Sequence, residues 1–600
     1  MRPMRLAVTP LLCLLAACND APAGTGATAS AAPTSSGALT TSETTGATTT
    51  PTSSASSTEP TIEPETGTTG TVTPGTTDPC TCTPGASAGC EGPQIVVCQD
   101  DCVTLAPQPC PGPGEQCEGG LCTTGACAPN STQCVDEDSW QQCDASGNGH
   151  GAPVDCEAGE SCVGGQCISL CALALATPST VGCSFFANRM DNYYAEQNDA
   201  LVVGNTHPTR SAQVQLYLTT TGQNVEQPHG PLVTIEPGET HTFTLSNAPI
   251  DKVSALRKGG SYRIASDVPV VAYQHSPLGA QETNDASMLF PEHALQANYV
   301  IASYRQSLDD SPSYFNVIAT ADDTTVTWTP PVTTSAGAGV PQVFAGQTGE
   351  VVMHRHDTLQ VVAAGPPGDL SGTIVGADRP IWVVGATECV NIPSAAVDYC
   401  DHVEEQMLPL EYWGVTYVGA HAPLRANEKH YWRVYAAEDA TTVTTTPALP
   451  GTPIALDRGQ WKELVVANAT SVIFSGTKPF LPVQYLESQE GGGGTGDPAM
   501  VQAIPVEQFL DRYAFATGTG YSQHYAQIIR MQGAADVRVD GQVVGGYYAV
   551  GDYEVADWQI AEGPHLAESA GPFGLVNVGY NEATSYAYPG GTRLKVINPQ

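Results

Sequence analysis

Positive charge is scarce in this chain. Only 22 of its 600 residues are Lys or Arg, against 61 Asp or Glu, for a formal charge of −39. Such a surface repels phosphate, so nucleic acid is excluded as a partner. Charged residues of both signs reach only 14%, while hydrophobic residues make up 41%. The chain is therefore no disordered acidic polymer and can build cores. Long apolar runs are missing too. Leu11 to Leu15 is a short apolar core, and no other run could span a bilayer. Beyond residue 170, helical periodicity is nearly absent. Catalytic signatures are also lacking: no H-E-x-x-H, no G-x-S-x-G and no glycine-rich phosphate loop. These absences argue against an enzyme.

At 600 residues the chain is too long for one core, so several domains are expected. Its start reads as an export signal, with Arg2 and Arg5 before the apolar core. Leu15-Ala16-Ala17-Cys18 resembles the bacterial lipoprotein signal, with small residues before a thiol nucleophile. The resemblance implies a signal peptide over 1–17 and acylation of Cys18. Attachment to the membrane would be through that lipid only, at the outer membrane or cell surface. Residues 18–79 are almost only Thr, Ser, Ala, Gly and Pro, too poor in apolar surface to fold. They are expected to act as a disordered spacer.

Residues 80–169 are expected to form a disulfide segment. Sixteen of the 20 cysteines fall between Cys80 and Cys183. The segment repeats internally, since Cys110 to Cys122 and Cys156 to Cys167 share the frame C…GE-x-C-x-G-G-x-C. Zinc would want C-x₂-C pairs or Cys/His mixtures, and the only local histidine is His150. An exported chain favours disulfides. Their connectivity in this segment stays open. Cys171 and Cys183 are candidates to pair at the entrance to the region beyond residue 170, and Cys389 and Cys400 to staple a loop further on.

Residues 170–600 read as all-β. Runs rich in Val, Ile, Thr and Tyr alternate with Gly, Pro, Asn and Asp turns. A repeat of about 95–115 residues is visible. Its closing strand pair carries a proline at the second strand, at Pro269, Pro380, Pro479 and Pro572. Its mid-unit turn falls at Gly238, Gly349-Glu350, Gly459 and Gly551. Between units run Pro291…Tyr299, Pro409…Tyr417 and Pro505…Tyr513. The expected fold is four tandem antiparallel β-sandwich-like units, at about 184–285, 286–402, 403–500 and 501–600. A propeller-like ring is the alternative.

Cys400-Asp-His-Val-Glu-Glu-Gln406-Met-Leu-Pro409, then Trp413-Gly414, together with the proline-marked strand pairs, resembles the IgGFc-binding region family. The likeness covers about residues 170–600. It implies extracellular binding or adhesion, with a protein or glycan ligand, and no enzyme activity. A structural envelope or matrix component is the alternative function, and an unrecognised hydrolase a third.

Two clusters remain as candidate sites. His354 and His356 would share a face if they lay on a strand, so two imidazoles could meet one metal. A solvent-facing strand edge is the plainer expectation, and no metal site is assigned. Asp398, Asp401, His402, Glu404 and Glu405 form the densest acidic cluster. They read as a solvated acidic loop pinned by Cys389 and Cys400, able to hold calcium in the alternative. No other cofactor is implied. Recognition commonly sits on loops carried by rigid sheets, so this loop is the leading binding-site candidate.

Overall fold

In this computed structural model the described residues are 85–600, without 92–93, 100–103, 111–114, 119, 124–125, 195, 280–282 and 468. The expected signal peptide, Cys18 and the spacer of residues 18–79 lie outside them. Among the described residues, no helix is long and apolar enough to cross a membrane.

The cysteine-rich segment holds two modules with one cross-linking pattern. Cys90–Cys117 and Cys110–Cys122 bridge the first. Cys134–Cys162 and Cys156–Cys167 bridge the second. In both, the second bridge starts inside the loop closed by the first. The repeated cysteine frame therefore carries the same connectivity twice. Such small modules bury little apolar surface, and each bridge supplies typically 2–4 kcal/mol. Cys171, on the short helix Leu170–Ala176, is joined to Cys183 on the strand Gly182–Asn188.

That strand opens the first of four β units. Each unit has eight main strands, numbered here by their order within it. In unit 2 they are Asn298–Val300, Ser313–Ala319, Thr324–Thr329, Gly349–Met353, Asp357–Val362, Ile374–Ala377, Ile381–Val390 and Asp401–Gln406. One sheet has the order first, sixth, third, fourth, and the other fifth, second, seventh, eighth. Unit 3 repeats both orders, from Thr416–Gly419 to Met500–Gln502. Units 1 and 4 follow the same plan. In those two, however, the sixth and seventh strands are one long strand, Ala255–Ser276 and Pro564–Tyr580. There the chain crosses between sheets at a register shift, close to Pro269 and Pro572. No separate turn is needed.

The outer sheets follow simple alternation. In Thr324–Thr329 only alternate residues are buried, and Val326 and Trp328 enter the core. The inner sheets behave differently. Every residue of the second, seventh and eighth strands of unit 2 is buried. Their second face is covered by the neighbouring units, as expected for sheets buried on both sides.

The units close into a ring. Their eighth strands, Asp285–Met288, Asp401–Gln406, Met500–Gln502 and Ser585–Pro589, touch in cyclic order, the last meeting the first. At the seam between units 4 and 1, the Tyr273 hydroxyl meets the carbonyls of Gly590 and Ala514 at 3.0 and 3.2 Å. The all-β expectation holds, and the two architectures weighed from sequence combine: sandwich units arranged radially.

The connectors repeat as well. Pro291, Pro409 and Pro505 each precede a one-turn 3₁₀ helix. The hydroxyls of Tyr299, Tyr417 and Tyr513 then accept the N–H groups of Gln296, Gly414 and Leu510 at 3.1, 2.9 and 2.9 Å. Each tyrosine thereby pins the connector to the first strand of the next unit.

Candidate functional site: the loops around the ring axis

The eighth strands line the axis, so the loops that precede them gather at one end of it. Their described residues are 277–279 with 283–284, 391–400, 487–499 and 581–584. They hold the same place in the repeat but differ in length and composition. Ser488 and Ile392 exchange bonds across the second and third loops. Ile392 N–H donates to Ser488 Oγ at 2.9 Å and Ser488 N–H to the Ile392 carbonyl at 3.0 Å. Asp398 N–H donates to Glu490 Oε2 at 3.0 Å. Gly496 N–H donates to the Asn581 carbonyl at 2.7 Å, joining the third loop to the fourth. The Thr584 hydroxyl meets Asn284 Oδ1, joining the fourth to the first.

The loops between first and second strands brace this cluster from outside. Asn391 N–H donates to Ser307 Oγ at 2.9 Å. Arg425 donates to the carbonyls of Glu487 and Thr495 at 2.8 and 3.2 Å. The Tyr521 hydroxyl donates to Asn284 Oδ1 at 2.8 Å. Gly496 has φ +67°, and a Cβ there would stand 2.7 Å from Ser585 Oγ. Only glycine permits that close approach. The outward surface of the cluster includes Asp398, Tyr399 and Glu490, with Tyr399 59% exposed.

The acidic run divides between two environments. Cys389 and Cys400 are joined, and the loop they close carries the exposed Asp398. Asp401, His402, Glu404 and Glu405 do not belong to a solvated loop. They lie on the eighth strand of unit 2 and are almost completely buried at the axis. The reason is the ring itself, because neighbouring units supply polar partners on both sides. Glu405 Oε2 accepts the Ser287 hydroxyl at 3.1 Å, and Glu405 Oε1 the N–H of Gln502 at 3.4 Å. His402 Nε2 lies 3.3 Å from Glu404 Oε2. Asp285 Oδ2 accepts the N–H groups of Glu404 and Met500 at 3.2 and 2.9 Å.

Burial sets the charge states along this axis. It holds the carboxyls of Asp285, Asp401, Glu404 and Glu405 well above the ordinary carboxylate range. It raises Asp497 to about 8 and lowers His402 and His275 to about 4. Burial therefore favours the protonated form of these carboxyls and the neutral form of these imidazoles. The axis is thus a polar joint.

His354 and His356 do not lie on a strand, and Gly349-Glu350 is not a turn. The strand Gly349–Met353 runs through the latter, and the turn falls at 354–356. His354 is largely exposed and sits 3.5 Å from Asp323 Oδ1. His356 is buried and sits 3.6 Å from Glu226 Oε2. The turn points the two imidazoles apart.

Among the described residues, two groups of three bring metal-binding atoms within 4.8 Å of one another. They are Cys156, Glu160 and Cys167, and Asp191, Asp251 and Glu388. Cys156 and Cys167 are joined in a disulfide and cannot ligate. Asp398, Asp401, His402, Glu404 and Glu405 form no such group among themselves.

A concavity of about 340 Å³ opens at the seam of units 1 and 4. His207, Arg512, Phe515 and His565 line it, and His565 Nδ1 lies 2.7 Å from Asp540 Oδ2. Sequence reasoning missed this seam, because its two sides are more than 240 positions apart in the chain.

Residues 285–579 match the family model described as IgGFc binding protein. That stretch runs from the eighth strand of unit 1 to the seventh of unit 4. A human protein named IgGFc-binding protein is 24% identical over 379 residues. The alignment covers 61% of this chain and 7% of the human protein. Both matches support the family resemblance, and both printed names describe binding rather than a reaction. With the disulfides, they favour an extracellular setting for these residues.

Proposed function

We propose that this chain is a lipid-anchored surface protein whose β ring binds an extracellular protein through the loops around its axis. The observation that carries the reading is the geometry of those loops. Four segments of unlike sequence converge at one end of a repeated framework whose inner strands are buried. Rigid sheets with variable loops at one end are a common way to build a recognition surface. Tyr399 gives that surface an exposed aromatic ring, a side-chain type enriched at the energetic centres of interfaces. Acylation of Cys18 would fix the chain to the envelope, with residues 18–79 as a spacer. A glycan is the second ligand class, since aromatic and acidic loops also suit sugars.

The test uses the chain with Cys18→Ser, assayed against immobilised immunoglobulin Fc, a panel of secreted proteins and a glycan array. Saturable binding to a protein probe is expected. Replacing residues 393–399 and 489–495 by short Gly-Ser turns should weaken it at least tenfold while the melting temperature stays within a few degrees. Unchanged binding by the loop variants would move the site elsewhere on the ring. Detergent phase partition tests the anchor: the natural chain should enter the detergent phase and the Cys18→Ser chain should not.

A further inference from the structure

The joint between units 1 and 2 holds an acidic group that the binding reading leaves unused. Asp191 lies in the first-to-second strand loop of unit 1. Asp251 lies in that unit's fifth-to-sixth strand loop. Glu388 lies near the end of the seventh strand of unit 2, beside Cys389. One carboxylate oxygen of each is within 4.8 Å of the other two. Asp251 is exposed, while Asp191 and Glu388 are fully buried.

Asp191 is only half satisfied. Its Oδ2 accepts the N–H of Lys252 at 2.7 Å and the Gln360 side-chain amide at 3.2 Å. Its Oδ1 is buried and has no hydrogen-bond partner. Leaving such an oxygen unpaired is costly, the more so when it is charged. The cation at the joint is Lys252 Nζ, 3.1 Å from Glu388 Oε1 and 3.4 Å from Asp310 Oδ2. With Asp191, Asp251 and Glu388 ionised and Lys252 shared with Asp310, the group would be at least two charges negative, the amount a divalent cation neutralises. Burial and the Glu388 charge both hold Asp191 well above its ordinary range, and burial raises Glu388 to about 7. Lys252 alone does not balance the site.

We propose that Asp191, Asp251 and Glu388 bind one calcium ion. The donors are all oxygen, with no imidazole or thiolate, which selects a hard cation. They come from two loops of unit 1 and one strand of unit 2, so the ion would tie the two units at the end of the ring that carries the loops. Affinity in the 10⁻⁴–10⁻³ M range, typical of extracellular modules, is roughly what a site with one exposed ligand and a competing lysine supports.

The test is terbium titration of the full chain with tyrosine excitation. Tyr314 reports on the site, because its hydroxyl donates to the Asp191 carbonyl at 2.6 Å. Sensitised emission that saturates at one ion per chain and is displaced by millimolar calcium is expected. Asp191→Asn should abolish it. Asp251→Asn, a change at an exposed position that leaves the fold intact, should weaken it about tenfold. Asp398→Asn, in the neighbouring loop, should leave it unchanged. Calcium should also raise the melting temperature of the natural chain and not that of Asp191→Asn. No saturable emission, or emission unaffected by Asp191→Asn and Asp251→Asn, overturns the site and leaves two carboxyls beside a lysine. Either result is independent of whether a protein ligand is found.

Discussion

At the scale of single residues, backbone conformation explains a position that side-chain chemistry misassigned. Gly238, His356 and Gly459 sit third in the turn before the fifth strand of units 1, 2 and 3, at φ +77°, +74° and +77°. Their N–H groups donate to the carbonyls of Asn205, Ala319 and Ala436 at 3.0, 2.9 and 3.0 Å. An L residue in this left-handed region costs about 1–2 kcal/mol. His356 offsets that cost by packing, with its ring 5.6 Å from that of Phe186. Two variants separate these effects. His356→Gly and His356→Ala both lose the imidazole, and only the alanine keeps the strain. The glycine variant should be the more stable by about 1 kcal/mol in denaturant titrations. Equal stabilities would mean that the turn relaxes freely. Alignment of the turn on Gly238 and Gly459 was the available signal. The nearby Gly349 hid it, because a glycine in a strand reads as a turn.

At the scale of elements, strands with alternating apolar residues were legible and the acidic eighth strand of unit 2 was not. Thr324–Thr329 shows its period directly, since one face meets water. Asp401–Gln406 shows none, because both its faces meet protein and its polar groups bond to other units. Burial of that kind depends on partners about 100 residues away, which local pattern does not contain. The loop before this strand is closed by Cys389–Cys400 over 11 residues. Converting both cysteines to alanine should cost about 3 kcal/mol by the loop-entropy estimate, read as a lower denaturant midpoint. It should also loosen the exchange between Ile392 and Ser488, seen as faster amide exchange at both. The connector tyrosines form a second class of element-scale staple. Tyr417→Phe removes the acceptor for Gly414 N–H and should cost about 1 kcal/mol.

At the scale of the whole molecule, ring closure dictates how stability responds to pH. Closure buries ionisable groups that would stay solvated in separate units. Asp497 is held up at about 8, and Asp199 at about 7, against ordinary values of 3.8. A carboxyl raised in this way favours the folded state below its unfolded value, and that advantage is lost as pH rises through its folded value. His275 and His402 act in the opposite sense. Both are held down at about 4 in the folded chain, so their contribution is present above 6.5 and lost as pH falls towards 4. Between pH 4 and 6.5 the two effects oppose each other. From pH 6.5 to 8 only the carboxyls act, so stability should fall across that window. Each proton that the folded chain holds and the unfolded chain has lost contributes at most about 1.4 kcal/mol per pH unit. Asp497→Asn keeps an acceptor for the N–H of Gln489, 2.9 Å away, and cannot ionise. Its melting temperature should decline less steeply than that of the natural chain between pH 6.5 and 8. An unchanged slope would show that water reaches Asp497 through the axis. The four units would then meet less tightly there than their buried eighth strands require.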